Sequence, residues 1–184
     1  SPTPHKPYNK PDPLNYYAMT KLFGEHMCRQ YKNMFSLNYN ILRFFTVYGP
    51  RGRPDMAPMK FLKAIHNQDK FYKYGKTESY RDYTYIDDII NGITLILRNK
   101  SSNLNPNVIN IGSGKPYNLL SFIRTIEEIC QKKAIIEFLP MQIGDIKSTL
   151  ADNSLLEKLT GSKPCVSVEE GVSNFVDWYL EYYN

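Results

Sequence analysis

Short runs dense in β-branched and aromatic residues alternate along this chain with longer stretches whose apolar residues recur at helical spacing. That alternation restricts the fold to α/β layering. The first helical stretch covers residues 14–34, with Tyr17, Met19, Leu22, Phe23, Met27 and Tyr31 forming a broad apolar stripe. "YNILRFFTVYG" follows as a buried strand that runs into the loop 49–55, where Gly, Pro and Arg fit no regular element. Helix resumes over 57–65, and 71–74 and 80–85 are short strands. Asp87 and Asp88 offer an N-terminal cap to a helix over 89–97. "NVINIG" is a strand, followed by a turn, a helix over 119–130, the strand "AIIEFLP", and helices near 153–159 and 168–183.

At 184 residues the chain has the size of one ordinary domain or a little more. Its net charge of +5 favours anionic partners, but the positive residues form no dense cluster and no RNA-binding motif, so nucleic acid is not an expected partner. No run of eighteen apolar residues occurs, and "SPTPHKPYNKPDP" lacks the apolar segment of a signal peptide. The expectation is a soluble cytoplasmic protein with no membrane partner. Residues 1–13, proline-rich and polar, have the look of the interior of a longer protein. Cys28, Cys130 and Cys165 lie far apart, and His5, His26 and His66 have no ligand spacing to them, so neither a zinc site nor a disulfide framework is expected.

Two local patterns bear on chemistry. In "NYYAMTK" the spacing of Tyr17 and Lys21 stacks a phenol and an ammonium on one helix face, where the cation can favour the phenolate. The same spacing also occurs in helices that do no chemistry, so the pair needs context. "INIGSGKP" is not a phosphate loop: Ile109 stands where the first glycine belongs and Pro116 where Ser or Thr belongs. A β-turn-α connection accounts for it. No strand is followed by G-x-G-x-x-G, so a dinucleotide cradle is missing from this sequence.

Taken in order, "YYAMTK", "LRFFTVYGPRGRPDM", "YRDYTYIDDI" and "QIGDIKSTLAD" resemble the C-terminal part of an extended short-chain dehydrogenase/reductase. Within the NAD-dependent epimerase and dehydratase group, the chain is most similar to the UDP-glucuronate 4-epimerase family. The run from Leu42 to Met56 is the specific signature, and the likeness extends from about residue 6 to the C-terminus. The implied fold is α/β: the C-terminal part of an extended Rossmann-type short-chain dehydrogenase/reductase, with the substrate-binding domain plus a remnant of the parallel-sheet domain. Residues 1–45 would be the remnant, with the Y-x-x-x-K helix and the following strand, and 46–184 mainly the nucleotide-sugar domain, interleaved with the Rossmann sheet near 87–112.

The resemblance also implies roles. Tyr17 matches the catalytic tyrosine that removes the sugar 4-hydroxyl proton as hydride leaves C4 for NAD, and Lys21 matches the lysine that binds the nicotinamide ribose and lowers the tyrosine pKa. Holding a phenol ionised near neutrality requires roughly 3–4 kcal/mol, more than one exposed cation supplies, so the charge of bound NAD is part of the base. The reaction would pass through a 4-keto sugar that turns in the pocket. Arg81 matches a diphosphate-binding arginine, and Asp145, with Gln142 nearby, matches an acid that accepts from the uridine ribose. Tyr72 or Tyr74 would stack near the base. Thr46 and Arg53 match positions beside the sugar carboxylate. Without the resemblance, Arg81 beside Asp82 is also readable as a surface ion pair, Asp145 as a turn residue and Arg53 as a solvated side chain. Tyr48, Phe44 and Phe45 are expected in the core, and His26 and His66 on helix surfaces.

The family's N-terminal half and its upstream Ser or Thr are absent, so the expectation is a fragment, inactive alone, of an enzyme that works as a homodimer through the Y-x-x-x-K helix. Another UDP-sugar 4-epimerase or a 4,6-dehydratase is the near alternative. A non-catalytic nucleotide-sugar binding module is the alternative of another class.

Overall fold

The computed structural model describes residues 4–75, 78–99, 108–141 and 146–183. In chain order these form α1 (Tyr16–Phe35), β1 (Ile41–Phe44), β2 (Thr46–Tyr48), α2 (Ala57–Asn67), β3 (Lys70–Tyr74), β4 (Tyr80–Arg81) and β5 (Tyr83–Tyr85). They continue with α3 (Ile86–Arg98), β6 (Val108–Ile111), β7 (Tyr117–Asn118), α4 (Leu119–Cys130), β8 (Ile135–Leu139), α5 (Ser154–Thr160) and α6 (Val168–Tyr183). Strands separated by helices pair in parallel, β1 with β6, β2 with β5 and β3 with β8, while the short β4 and β7 pair antiparallel. This is the α/β architecture that the alternation of patterns requires.

Two segments expected as single strands are each divided. After Phe44 the chain changes partner within two residues: the Phe45 amide donates to Ile111 O at 3.3 Å and the Thr46 amide to Asp82 O at 3.0 Å, so β1 lies on β6 and β2 on β5. Residues 80–85 break at Asp82, whose amide donates to Thr149 Oγ1 (3.1 Å) and not to a ladder. The helix after them starts earlier than expected. Tyr85 is the N-cap of α3, so Asp87 and Asp88 occupy its first turn and do not cap it. Acidic groups there still complement the helix dipole. The Asp88 carboxylate has turned to another segment and accepts from the amides of Cys165 (3.1 Å) and Val166 (3.0 Å).

The main core gathers α2, α4 and α6 over β2, β3 and β5. Leu62, Ile65, Phe122, Val172 and Phe175 are buried there, and Tyr83 stacks on Phe122 with ring centroids 4.1 Å apart. Each such side chain contributes about 1.5–3 kcal/mol by leaving water. Tyr48 belongs to this core, as its sequence context suggests, and meets Phe122 edge-on at 5.2 Å. Gly171 makes room for it, because a Cβ there would run into the Tyr48 hydroxyl. A second cluster joins Ile89 and Ile96 of α3 to Ile109 and Ile111 of β6 and Leu156 of α5. Phe44 departs from expectation: at the end of β1 it is 47% exposed.

The N-terminal segment runs as a strap. The His5 amide donates to Leu150 O (2.8 Å), and His5 O accepts from the Asp152 amide (3.2 Å) and from Asn110 Nδ2 (2.6 Å). Helix α1 follows, capped by Asn15, whose Oδ1 accepts from the Ala18 amide at 2.9 Å. It contains no buried residue.

Candidate active site

The Asn15 cap sets the first turn of α1, and Tyr17 and Lys21 emerge on one face of it. The Lys21 ammonium lies over the Tyr17 ring, 5.2 Å from its centroid, and the tyrosine is 70% exposed. The contact through the ring face is a cation–π interaction. Arg53 projects from the loop between β2 and α2. Its side chain grips Asp55 with two hydrogen bonds, Nε to Oδ1 at 3.1 Å and Nη2 to Oδ2 at 2.5 Å. That hydrogen-bonded carboxylate raises the guanidinium pKa above its ordinary value. Asp55 is correspondingly held below the usual carboxylate range, first by its hydrogen bond from Arg53.

Thr46 begins β2 and pairs with Tyr83 of β5. Its amide is bonded to the carbonyl of Asp82, so the start of β2 is tied to the residue that follows Arg81. Arg81 itself is half-buried in β4, where Nη1 donates to Ser79 Oγ (3.0 Å) and to Tyr80 O (3.1 Å). Tyr72 and Tyr74 share the exposed face of β3, opposite the buried Phe71 and Lys73, and the Lys70 ammonium lies 5.5 Å from the Tyr72 ring centroid. Gln142 and Asp145 lie outside the described residues. On the near side of them the Gly75 amide donates to Leu139 O (2.8 Å), and on the far side Lys147 O accepts from the Tyr80 amide (2.9 Å). The chain thus leaves from the end of β8, beside the end of β3, and returns beside β4.

Two groups result. One is Tyr17 with Lys21 on α1; the other is Tyr80 and Arg81 of β4 with the segment that returns at 147–149. Both are rich in cationic or phenolic donors at the surface, an arrangement suited to a ligand with hydroxyls and several negative charges.

Asp82 is the residue that sequence reasoning missed. It is neither at the surface nor simply a mate for Arg81: it is 0% exposed. Its Oδ1 accepts from the Ser113 amide (2.6 Å), Ser113 Oγ (2.8 Å) and Thr84 Oγ1 (3.2 Å), and its Oδ2 from the amides of Gly114 (3.1 Å) and Ala151 (2.8 Å). A Cβ at Gly112 would come within 2.9 Å of Oδ2, so the turn can close on the carboxylate only as glycine. The Ser113 and Gly114 amides of the "GSGK" turn thus point at the chain's own carboxylate, which explains physically why this is a β-turn-α connection and no phosphate loop. A single acidic residue inside the aromatic run "YRDYTY" was the available signal, since a charge in a buried strand needs several donors.

Residues 1–112 match the NAD dependent epimerase/dehydratase family. The chain is 42% identical over 188 residues to a probable UDP-glucuronate 4-epimerase of Rhizobium meliloti (strain 1021), a match that covers 94% of this chain and 55% of that protein. It is 37% identical over 182 residues to the UDP-glucuronate 4-epimerase of Thermodesulfobacterium geofontis (strain OPF15), covering 98% of this chain and 55% of that one. Its fold superposes on the crystal structure of UDP-glucuronic acid 4-epimerase from Bacillus cereus in complex with UDP-glucuronic acid and NAD, with a TM-score of 0.88, 38% identity, and coverage of 95% of this chain and 55% of that one. The chain spans about half the length of the curated relatives it matches. From the matched family model, these identities and this fold, the chain belongs to the NAD dependent epimerase/dehydratase family.

Proposed function

We propose that this chain is the C-terminal part of an NAD-dependent nucleotide-sugar epimerase, acting on UDP-glucuronate through a 4-keto sugar. The observation that carries the reading is the Lys21 ammonium over the Tyr17 ring on the exposed first turns of α1. A proton acceptor and a cation to favour its ionised form then stand together, and the Arg53 fork, which already binds a carboxylate, suits that of a uronate. The names of the relatives above support the same substrate class.

In this reading Tyr17 takes the proton of the sugar 4-hydroxyl and gives it back. Lys21 favours the phenolate and holds a ribose hydroxyl. Arg53 and Thr46 orient the sugar carboxylate, Arg81 holds the diphosphate, and Tyr72 or Tyr74, Gln142 and Asp145 hold the uridine. NAD, when bound, supplies the hydride acceptor and donor at C4. The chain's residues fit one edge of that cofactor, because Tyr17 and the Lys21 cation stand together on the exposed face of α1. They do not include a glycine-rich phosphate cradle, which places the diphosphate of NAD on other parts of the protein.

The domain division that goes with this function assigns residues 1–45 to the cofactor domain and 46–184 mainly to the substrate domain. The enzyme is a cytoplasmic homodimer joined through α1, and this chain alone has no turnover. Among the described residues no helix is long and apolar enough to cross a membrane.

The test compares turnover of UDP-glucuronate and UDP-glucose by the full-length enzyme and by its Arg53→Ala variant. The expected outcome is a preference for UDP-glucuronate that falls roughly tenfold or more in the variant, the scale of a lost charge-assisted hydrogen bond. An unchanged preference would remove Arg53 from the site. Better turnover of UDP-glucose by both proteins would assign a neutral sugar.

A further inference from the structure

The grip of Arg53 on Asp55 has a consequence for substrate choice. The loop 49–55 is built to hold the two side chains together. The Gly52 amide donates to Gly49 O (3.2 Å) and the Met56 amide to Arg53 O (3.1 Å), giving two tight turns in succession. Gly49 sits at φ 135°, where a Cβ would press on Ile86 Cγ2 at 2.7 Å, so the first turn lies flat against the start of α3. Pro54, between the two charged residues, fixes its own backbone angle. The guanidinium edge formed by Nε and Nη2 therefore meets a carboxylate from two residues away, in the side-on geometry that planar forks make with carboxylates. Arg53 and Asp55 keep side-chain exposures of 72% and 59%, so water, or another carboxylate, reaches the pair.

We infer that Asp55 is an internal stand-in for the sugar carboxylate, occupying the Arg53 fork until a uronate displaces it. This rests on the reading of Arg53 as the carboxylate receptor. A uronate presents the same two oxygens in the same plane and can exchange with Asp55 one for one. A neutral sugar has a hydroxymethyl group in that place, cannot satisfy both N–H groups, and leaves the Arg53–Asp55 pair closed. Asp55 thus weakens uronate binding by competition while leaving neutral sugars unaffected, which makes it a residue that sets specificity without touching the reacting atoms. Exposed ion pairs are weak, so the competition is modest and the exchange is easy.

The experiment uses the full-length enzyme and four proteins: wild type, Asp55→Asn, Arg53→Ala and the double variant. Kd and KM are measured for UDP-glucuronate and for UDP-glucose. Asp55→Asn keeps the size of the side chain and removes its charge. The expected result is UDP-glucuronate binding tightened by about two- to fivefold, in the range of exposed ion pairs, with UDP-glucose binding unmoved. The gain should vanish when Arg53 is alanine, because the competition needs the fork. Weaker or unchanged binding of UDP-glucuronate in Asp55→Asn would overturn the inference, as would an equal change for both substrates. A gain that persists in the Arg53→Ala background would overturn it too, since it would reflect bare charge repulsion. Failure of the underlying reading looks different: Arg53→Ala then leaves the preference between the two substrates where wild type has it.

Discussion

Helices α1 and α6 are the two longest among the described residues and they behave in opposite ways. Over sixteen residues α6 buries Gly171, Val172, Phe175, Val176 and Tyr179 against the main core. Over twenty residues α1 buries none, although Met19, Phe23, Met27, Tyr31 and Met34 lie along it and all remain exposed. Both carry apolar residues at helical spacing, so the pattern alone does not separate them. The difference is in what each faces. α6 meets α4, β5 and Tyr48 within this chain, whereas the stripe of α1 meets little of it. Stability and proposed chemistry are therefore carried by different helices.

The sharpest way to break that comparison is to change one residue on each helix. Tyr17→Phe in the full-length enzyme should lower turnover by roughly 10²- to 10⁴-fold, the usual worth of a positioned acid/base group. It should leave the thermal unfolding midpoint where it was, because the side chain is exposed. Phe175→Ala should do the reverse, costing about 3–5 kcal/mol of stability, the scale of a deleted core aromatic. Protein that stays folded should keep near-normal turnover. Turnover retained by Tyr17→Phe, or a large loss of stability from it, would erase the distinction between the two helices.

This contrast marks where the sequence was legible. Helix α4 begins and ends where its pattern says, because Asn118 supplies a local cap that accepts from the Leu120 amide at 2.8 Å. Tyr17 and Lys21 were readable by spacing because a helix converts spacing into proximity. The break at Phe45 was not readable: β1 and β2 differ in their partners, β6 and β5, and partners distant in sequence leave no local mark. Asp88 misled for a related reason. Its carboxylate sits in the right place for a cap but is claimed by backbone amides 77 and 78 residues away. The pair of Arg53 and Asp55 was visible as letters, yet only the turn around Pro54 shows that the side chains meet.

Asp82 tests whether the region around Arg81 behaves like α6 or like α1. Asp82→Asn keeps the shape of the side chain but puts an NH₂ group where a carboxylate oxygen now accepts amides or hydroxyls. Leaving such buried donors unsatisfied costs about 1–3 kcal/mol each. The expected outcome is a lower unfolding midpoint together with weaker UDP-sugar binding, because the residue that adjoins Arg81 in the chain also fixes the turn at 113–114 and the segment at Ala151. Lost stability with unchanged nucleotide affinity would place Asp82 with Phe175, as a residue of the core alone.

The smallest expected effect concerns the N-terminal strap, which leads into α1. Burial lowers the His5 pKa below its ordinary value of 6.5, against the opposing effect of a hydrogen bond that the ring donates to the Ser148 backbone, and the ring packs against Phe45 at 6.1 Å. A histidine whose folded-state pKa is depressed binds fewer protons when folded than when unfolded. Its neutral form favours the docked strap fully above pH 6.5, and that contribution is lost as pH falls through the lower folded value. Because the ring is only partly buried, the effect is local. The Asp152 amide, which donates to His5 O at 3.2 Å, reports on it directly. Hydrogen exchange at that amide, corrected for the intrinsic pH dependence, should show protection falling below pH 6.5 in wild type and a flatter profile in His5→Gln. Identical profiles would mean that the strap is held by its bonds to Leu150, Asp152 and Asn110 without help from the ring, and that the path into α1 does not respond to protonation of His5.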